Sequence, residues 1–252
     1  DELSMVDILL FEGLLKAMKL GCRLIMVGDR NQLPAVGAGN VLGDLYDSGR
    51  LPVVCLDKRF RQAMESRIVT NAHLIVAGKP PVFSKKEGDF FLVREASPVL
   101  AAKKVAELCS RRLPAAYGFD SFENIQVLCP SKKGETGTEA LNERLSVLLN
   151  PARPGKAEFK TEKALLREGD KVIQTRNNYD VVWTATDGKQ GSGVFNGDIG
   201  TLQSVDRSTG ILSVRFGDKI ALYSGVDADG LDKAFAVTVH KSQGSEYDCV
   251  II

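Results

Sequence analysis

Helix-like and strand-like apolar patterns alternate along residues 5–149. Apolar positions recur at helical spacing over residues 5–20, 64–77, 98–112 and 138–149, and this spacing predicts four helices, the third capped by Ser97. Short apolar runs at 22–27, 51–56, 90–93 and 125–129 predict buried strands. This alternation predicts an α/β fold whose mainly parallel sheet is covered by helices on both faces.

The pattern changes after Lys163. Short alternating runs follow at 172–174, 193–195, 200–205 and 212–216, separated by turn residues such as Asn196-Gly197-Asp198. They predict a small antiparallel barrel inserted at roughly 165–230. A buried strand returns at 234–239, and residues 241–244 are expected to open a further αβ unit. The α/β domain is therefore expected to be interrupted by an all-β insertion.

Composition excludes several classes of protein. The chain has 252 residues, 44% hydrophobic and 26% charged, with a formal net charge of +1. These values are typical of an ordinary soluble globular protein and argue against disorder, a coiled coil or a highly basic nucleic-acid-binding face. The five cysteines are spread widely and form no CxxC pair, which favours buried free thiols in a reducing cytosol.

The two ends suggest a piece of something longer. The chain opens on Asp1 without a signal-peptide pattern, and it stops within the apolar run 249–252. Since natural termini usually lie at the surface, we expect the chain to be a fragment.

Three polar loops follow predicted strands. Gly28 to Pro34 presents Asp29, Arg30 and Gln32 at the carboxyl edge of the sheet, where ligands bind in open α/β folds. Residues 57–62 place three cations around Phe60, and residues 239–246 offer His240 and donors that suit a phosphate. Each segment also has an ordinary structural explanation. Residues 28–34 are compatible with a polar turn, residues 57–62 with a surface ion-pair cluster, and His240 with a structural histidine.

Taken together, the loops resemble the motifs of superfamily 1 helicases. Residues 1–7 (DELSMVD) are similar to motif II, 28–39 (GDRNQLPAVGAG) to motif III, 60–62 (FRQ) to motif IV, and 238–246 (TVHKSQGSE) to motif V in its RecD-type form. Residues 127–151, with Lys133-Gly134, Leu141-Asn142-Glu143 and Leu149-Asn150-Pro151, also resemble RecD-like proteins, especially the stand-alone RecD2 type. The resemblance runs through the whole chain in the family's order.

The resemblance implies roles for named residues. Asp1 would hold the Mg²⁺ that bridges the phosphates of ATP, and Glu2 would polarise the attacking water. Gln32 would sense the γ-phosphate, and Arg61 would act as an arginine finger. The remaining residues are Asp29, Gly244 and Glu246 near the nucleotide, and Ser131, Lys132, Thr238, His240 and Asn196 along the single-stranded DNA.

The inserted barrel resembles the SH3-like 2B domain of RecD-type enzymes. Asn177, Asn178, Tyr179 and Asn196 are its candidate strand-facing residues, with ordinary β-surface residues as the alternative. Trp183 is either a stacking platform or part of the barrel core.

The resemblance also implies a domain plan, a RecA-like P-loop NTPase helicase fold present in part. Residues 1–50 would end RecA-like domain 1A, 51–164 and 231–252 would belong to domain 2A, and 165–230 would form 2B. No G-x-x-x-x-G-K-[ST] loop occurs in the sequence, so we expect the isolated chain not to hydrolyse ATP.

The implied function is that of part of an ATP-dependent 5′→3′ DNA helicase of the bacterial cytoplasm. It would act on single strands and single-strand/duplex junctions, alone or in a nuclease–helicase complex, without a membrane partner. The alternatives are a non-catalytic single-strand-binding module or another superfamily 1B helicase, relaxase-associated or Pif1-like.

Overall fold

The computed structural model describes residues 1–56, 66–85 and 87–252. The predicted motif IV segment, including Arg61, lies outside the described residues. The chain divides into two compact units, Asp1–Arg94 and Glu95–Ile252. The predicted domain boundaries stay predictions.

Helices account for the regular structure described in the first unit. Each begins at a side-chain cap, in which Asp7, Asn40 or Ser66 accepts a hydrogen bond from the backbone N–H three residues ahead. The first helix is therefore shorter than the predicted 5–20, and it ends where Met18 turns extended. The helices are α1 (Ile8–Ala17), α2 (Val41–Asp47) and α3 (Arg67–Val76), preceded by a 3₁₀ turn at Leu3–Met5.

Three predicted strands are wrong: residues 22–27, 51–56 and 90–93 form no strand. A strand requires a ladder of hydrogen bonds to a neighbouring chain. The described part of this unit offers these segments single bonds, such as Leu3 N–H to Val27 O at 3.0 Å and Ser84 N–H to Phe90 O at 2.7 Å. Because no strand pairs with these segments, Ile25 and Val54 are 84% and 86% exposed, although the sequence pattern predicts that they are buried.

The second unit contains both sheet types. Its helices are α4 (Pro98–Glu107), α5 (Leu113–Tyr117) and α6 (Thr138–Leu149). Its strands are β1 (Ile125–Cys129), β2 (Glu158–Lys160), β3 (Leu165–Arg167), β4 (Lys171–Gln174), β5 (Asn178–Ala185), β6 (Gln190–Val194), β7 (Ile199–Val205), β8 (Leu212–Phe216), β9 (Lys219–Tyr223), β10 (Leu231–Lys233), β11 (Ala236–Thr238) and β12 (Cys249–Ile251).

A parallel sheet carries the α/β part of this unit. Strand β1 lies between β11 and β12 and is parallel to both. Both β1 and α6 form where the pattern predicts them. The predicted third helix continues past 112 through a π turn at Leu108–Arg112 into α5, because the first left-handed residue is Gly118, at φ 71°.

The predicted all-β insertion is confirmed. Seven antiparallel strands run in the order β10-β4-β7-β8-β9-β5-β6, around a core that includes Leu202, Leu212, Val214 and Tyr223. The returning strand predicted at 234–239 is wrong in its bounds. The strand that pairs with β1 is β11, which covers only Ala236–Thr238. The strand before it, β10, pairs with β4 in the barrel.

The cysteine prediction holds in part. Cys109 and Cys129 are buried, and burial raises their pKa to about 12 and about 11. Cys22 and Cys55 are exposed, because their segments form no strand. No helix in residues 1–56, 66–85 and 87–252 is long and apolar enough to span a membrane.

A buried lysine joins the barrel to the parallel sheet. Lys171 on β4 is 7% exposed, and its Nζ donates to Ile125 O on β1 at 3.3 Å. Burial lowers the pKa of Lys171 from 10.5 to about 8. At neutral pH the folded state therefore keeps a buried charge that costs about 3 kcal/mol.

Replacing Lys171 with methionine is expected to raise the free energy of unfolding at neutral pH by about 2 kcal/mol. The substitution removes the cost of the buried charge, and this cost is larger than the stabilisation lost with the hydrogen bond to Ile125 O. In the wild type the penalty is complete below the folded pKa and fades as pH rises from about 8 towards 10.5. Wild-type stability should therefore rise through this window, and that of Lys171→Met should not. Denaturant unfolding followed by Trp183 fluorescence checks both; parallel pH curves would contradict the assignment.

Candidate functional site

In the first unit, the segment that resembles motif II packs against the loop that resembles motif III. Leu3 N–H donates to Val27 O at 3.0 Å, directly before Gly28. A Cβ added at Gly28 would lie 3.2 Å from the backbone nitrogens of both Leu3 and Ser4. Glycine therefore permits this close approach, which brings Asp1 and Glu2 near the start of the 28–32 loop.

Asp1 and Glu2 supply carboxylates at this place. Asp1 is exposed, and its Oδ1 accepts the Glu2 N–H at 2.8 Å. Glu2 adopts φ 57°, a left-handed conformation that costs a non-glycine residue about 1 kcal/mol or more. Magnesium binds through one or two carboxylates together with substrate phosphates, so this oxygen donor set fits it. Within the described ranges, no group of three or more His, Cys, Asp and Glu side chains forms a metal site.

The 29–32 loop is a turn that presents Gln32. The Asp29 carboxylate accepts the Asn31 N–H at 2.9 Å, and the Gln32 N–H donates to Asp29 O at 3.2 Å. The resemblance places Asp29 near the nucleotide. In the structure its carboxylate holds the turn. Arg30 lies 4.3 Å from the Tyr46 ring centroid, so the cation of this loop is held against α2. The Gln32 side chain is exposed.

In the second unit, the parallel register brings the candidate DNA-contacting residues to one edge. Cys129 pairs with Thr238 at the ends of β1 and β11. Two residues beyond each end stand Ser131 and His240. Because the strands are parallel, their loops leave the sheet at the same edge, and Lys132 follows Ser131 there. The sequence resemblance and the topology therefore agree on the position of these four residues.

The loop after β1 is curled tightly onto the start of α6. The Thr138 N–H donates to Ser131 O at 3.2 Å, and the Glu139 N–H donates to Lys132 O at 3.0 Å. A Cβ at Gly137 would lie 2.4 Å from Lys132 O, so a side chain there would force the loop to move. This packing fixes the backbone of Ser131 and Lys132 while their side chains stay exposed.

The segment after β11 forms a 3₁₀ turn at Val239–Ser242. The predicted helix opening at 241–244 is wrong, because the Ser242 hydroxyl donates to Val239 O at 2.8 Å and Gly244 turns left-handed at φ 74°. Glu246 is exposed just beyond. Gly244 and Glu246 therefore stand on a loop that follows the same sheet edge.

Among the candidate barrel residues, Asn196 contacts the segment that follows β11. Its Oδ1 accepts a hydrogen bond from Lys241 Nζ, and its N–H donates to Asn177 Oδ1 at 2.9 Å. Asn178 instead donates to Asp227 at 3.1 Å, which is a barrel contact. Lys241 is a residue that motif resemblance did not single out.

Trp183 is packed within the barrel. Lys219 Nζ lies 4.5 Å from its ring centroid, and a Cβ at Gly191 would lie 2.4 Å from the ring. Trp183 also packs against the barrel core. These contacts favour the core interpretation over the stacking platform.

Two buried side-chain amides, those of Asn142 and Gln126, position β11. The sequence motifs did not assign either of them a role. Asn142 on α6 donates to Lys233 O and Ala236 O at 3.1 and 2.9 Å and accepts from Ala236 N–H at 2.8 Å. Gln126 on β1 donates to Ala234 O at 3.1 Å. These amides hold the point at which the chain leaves the barrel and re-enters the sheet. The sequence contained one signal for Asn142, since it is a polar residue on the apolar face of α6.

Comparisons with known families match most of the chain in segments. Residues 1–93 match a family described as AAA domain, 141–216 match the ATP-dependent RecD-like DNA helicase SH3 domain, and 233–252 match the UvrD-like helicase C-terminal domain. The helicase SH3 match overlaps the antiparallel sheet, which agrees with the inserted barrel.

Individual proteins match over the full chain. The ATP-dependent RecD2 DNA helicase of Deinococcus radiodurans is 32% identical over all of this chain and 31% of its own length. The RecBCD enzyme subunit RecD of Mycobacterium tuberculosis is 29% identical over all of this chain and 43% of its own length. The chain thus spans less than half the length of these relatives.

A solved structure shares the fold. The Pif1 helicase from Bacteroides, in complex with ADP-AlF3 and ssDNA, matches with a TM-score of 0.55 at 18% identity, covering all of this chain and 63% of that one. The RecA-like helicase fold is therefore confirmed, with the inserted SH3-like domain. The predicted resemblance is confirmed as well: from Asp1 to Ile252 the chain is similar to helicases of the RecD and RecD2 type.

Proposed function

We propose that this chain is part of an ATP-dependent DNA helicase that translocates 5′→3′ along single-stranded DNA. The register of Cys129 with Thr238 carries the proposal, because it sets Ser131, Lys132 and His240 at one sheet edge. Exposed hydroxyl, ammonium and imidazole groups there suit the sugar–phosphate backbone, which is bound without reading sequence. The similarity to RecD2 and RecD proteins supports the same activity.

ATP and Mg²⁺ are the cofactors of this proposal. Asp1 is assigned to Mg²⁺ and Glu2 to the orientation of the attacking water; when bound, the metal neutralises charge on the transferred phosphoryl group. Asp29, Gly244 and Glu246 are assigned to the neighbourhood of the nucleotide. Because residues 1–252 contain no G-x-x-x-x-G-K-[ST] run, hydrolysis in this proposal needs phosphate-binding residues from outside them.

The proposed partners are single-stranded DNA and single-strand/duplex junctions, in the cytoplasm of a bacterium. The protein acts either alone or as a subunit of a larger enzyme, and the second arrangement is the one that the name RecBCD enzyme subunit RecD gives for the relative from Mycobacterium tuberculosis. Purification of the native protein with its bound partners separates these two arrangements.

The function is tested on the full open reading frame that contains residues 1–252. We expect DNA-stimulated ATP hydrolysis and unwinding of a duplex with a 5′ single-stranded tail. The isolated 252-residue chain should show neither. Single-strand binding without ATP hydrolysis by the full open reading frame would support the non-catalytic binding module and overturn the helicase.

Gln32→Ala in the full open reading frame is expected to slow unwinding by about tenfold or more while leaving single-strand affinity within about twofold. The Gln32 side chain is exposed on a turn, so its loss removes a γ-phosphate contact without disturbing packing. Unwinding and ATP hydrolysis are measured side by side with single-strand binding.

Asn31→Ala is the matched control, since it removes an exposed amide from the same turn. It leaves in place the hydrogen bond from the backbone N–H of residue 31 to the Asp29 carboxylate. It should behave as the wild type. Wild-type unwinding by Gln32→Ala would refute the sensor role.

A further inference from the structure

One short segment, residues 3–8, holds the loop of residues 28–39 at both of its ends. The start of the loop is held by the hydrogen bond from the Leu3 N–H described above. At the end of the loop, the Ile8 N–H donates to Ala38 O at 2.9 Å. The segment directly follows the two carboxylates at the start of the chain, and the loop presents the exposed glutamine of its turn. The fold therefore ties the glutamine and the carboxylates to one support.

The contact at the end of the loop is built on the first turn of α1. The first N–H groups of a helix have no partner within the helix. In α1, Asp7 Oδ1 accepts the Leu10 N–H at 2.8 Å, and the Ile8 N–H finds its acceptor in the carbonyl of Ala38. The loop thus supplies an acceptor that the helix itself lacks, and the helix gives the loop a regular support.

Gly37 lies directly against the Asp7 side chain. A Cβ added at Gly37 would lie 2.7 Å from Asp7 Cβ and 2.8 Å from Asp7 Cγ, closer than nonbonded carbon atoms can approach. The Asp7 side chain is fixed, because its carboxylate caps α1. Gly39 adopts φ 95°, and a Cβ there would lie 3.2 Å from Ile8 Cβ. The loop can therefore lie this close to α1 only because glycine stands at both positions.

We propose that Asp7 and Gly37 are positioning residues for Gln32. They hold the glutamine at a fixed place relative to Glu2, because the loop between its two ends carries Gln32 and both ends rest on the segment that follows Glu2. This inference rests on the proposed function and extends it, since it states what sets the geometry between the γ-phosphate sensor and the carboxylate that orients the water. Neither Asp7 nor Gly37 touches the nucleotide in this proposal.

Gly37→Ala in the full open reading frame is expected to slow unwinding by about tenfold or more and to leave single-strand affinity within about twofold. The added methyl group forces the end of the loop away from Asp7 and displaces Gln32, so the variant should resemble Gln32→Ala. In the Gln32→Ala background the same substitution should cost less than about twofold further, because the contact that it disturbs is already missing. A defect of packing alone would instead multiply the two losses.

Hydrogen exchange of the full open reading frame without nucleotide gives a readout that does not depend on activity. The Ile8 amide should exchange at least about fivefold faster in Gly37→Ala, since its bond to Ala38 O is lost. Gly13→Ala is the matched control, because a Cβ at this position within α1 meets nothing within 4 Å. It should leave exchange and unwinding unchanged.

A second substitution should relieve the first. Asp7→Gly removes the atoms that the methyl group of Gly37→Ala would meet, and glycine is tolerated at the start of a helix. The double variant is therefore expected to unwind DNA within about threefold of the wild-type rate.

Four results would overturn the inference: wild-type unwinding by Gly37→Ala, multiplied losses in the double variant with Gln32→Ala, unchanged exchange of the Ile8 amide, or no recovery on adding Asp7→Gly. The proposed helicase function survives each of these if the unmodified open reading frame hydrolyses ATP and unwinds DNA. It fails separately if those two activities are missing, and the exchange measurement then still tests the contact between Asp7 and Gly37.

Discussion

Replacing Asn142 with leucine is expected to lower the free energy of unfolding by about 4 kcal/mol, since three buried backbone groups lose their partner. Asn142 is 8% exposed. Its amide bonds Lys233 O and both the N–H and the C=O of Ala236. Leucine fills a similar volume but offers neither donor nor acceptor, and water has little access to the groups left behind.

Chemical denaturation followed by Trp183 fluorescence measures this change in the second unit, because Trp183 is the sole tryptophan and lies in the barrel. Asn177→Leu is the matched control. Asn177 is exposed, so the same chemical change should cost less than about 1 kcal/mol. Equal losses in the two variants would show that Asn142 does not hold β11 in place.

Asn142 also illustrates how far the sequence could predict this fold. The helix that carries it, α6, and the strand β1 form at the predicted residues, because their apolar periodicity is local and their partners are present. The strands predicted at 22–27, 51–56 and 90–93 have the same local pattern but find no ladder. Strand formation depends on a neighbour distant in sequence, which an apolar run does not specify.

The candidate site divides in the same way. Asp1, Glu2, Gln32, Ser131 and His240 follow from motifs whose residue order is visible in the chain. The contact of Asp7 with Gly37 is not visible, since the two residues stand 30 positions apart in the sequence. Only the close approach of the two segments in the fold brings them together. Residues that act through tertiary contact are therefore those that the sequence could not supply.

Arg61→Ala in the full open reading frame is expected to lower the kcat of ATP hydrolysis by a factor on the order of 10³ or more. Arg61 lies outside the described residues, and its proposed role as an arginine finger rests on the resemblance of Phe60-Arg61-Gln62 to motif IV. A guanidinium stabilises charge that develops on the phosphoryl group only in the transition state. The loss should therefore fall on kcat, with the KM for ATP changed by less than about threefold.

Arg59→Ala is the matched control, because it removes the same charge two positions away in the same segment. If the loss came from a weaker overall positive field, both variants would slow hydrolysis equally. If Arg61 contacts the transferred phosphoryl group, Arg59→Ala should keep kcat within about threefold and Arg61→Lys should recover little, since lysine cannot form the bidentate contact. A loss below about tenfold in Arg61→Ala would remove Arg61 from the catalytic assignment, because a finger that contributes so little does not stabilise the transition state.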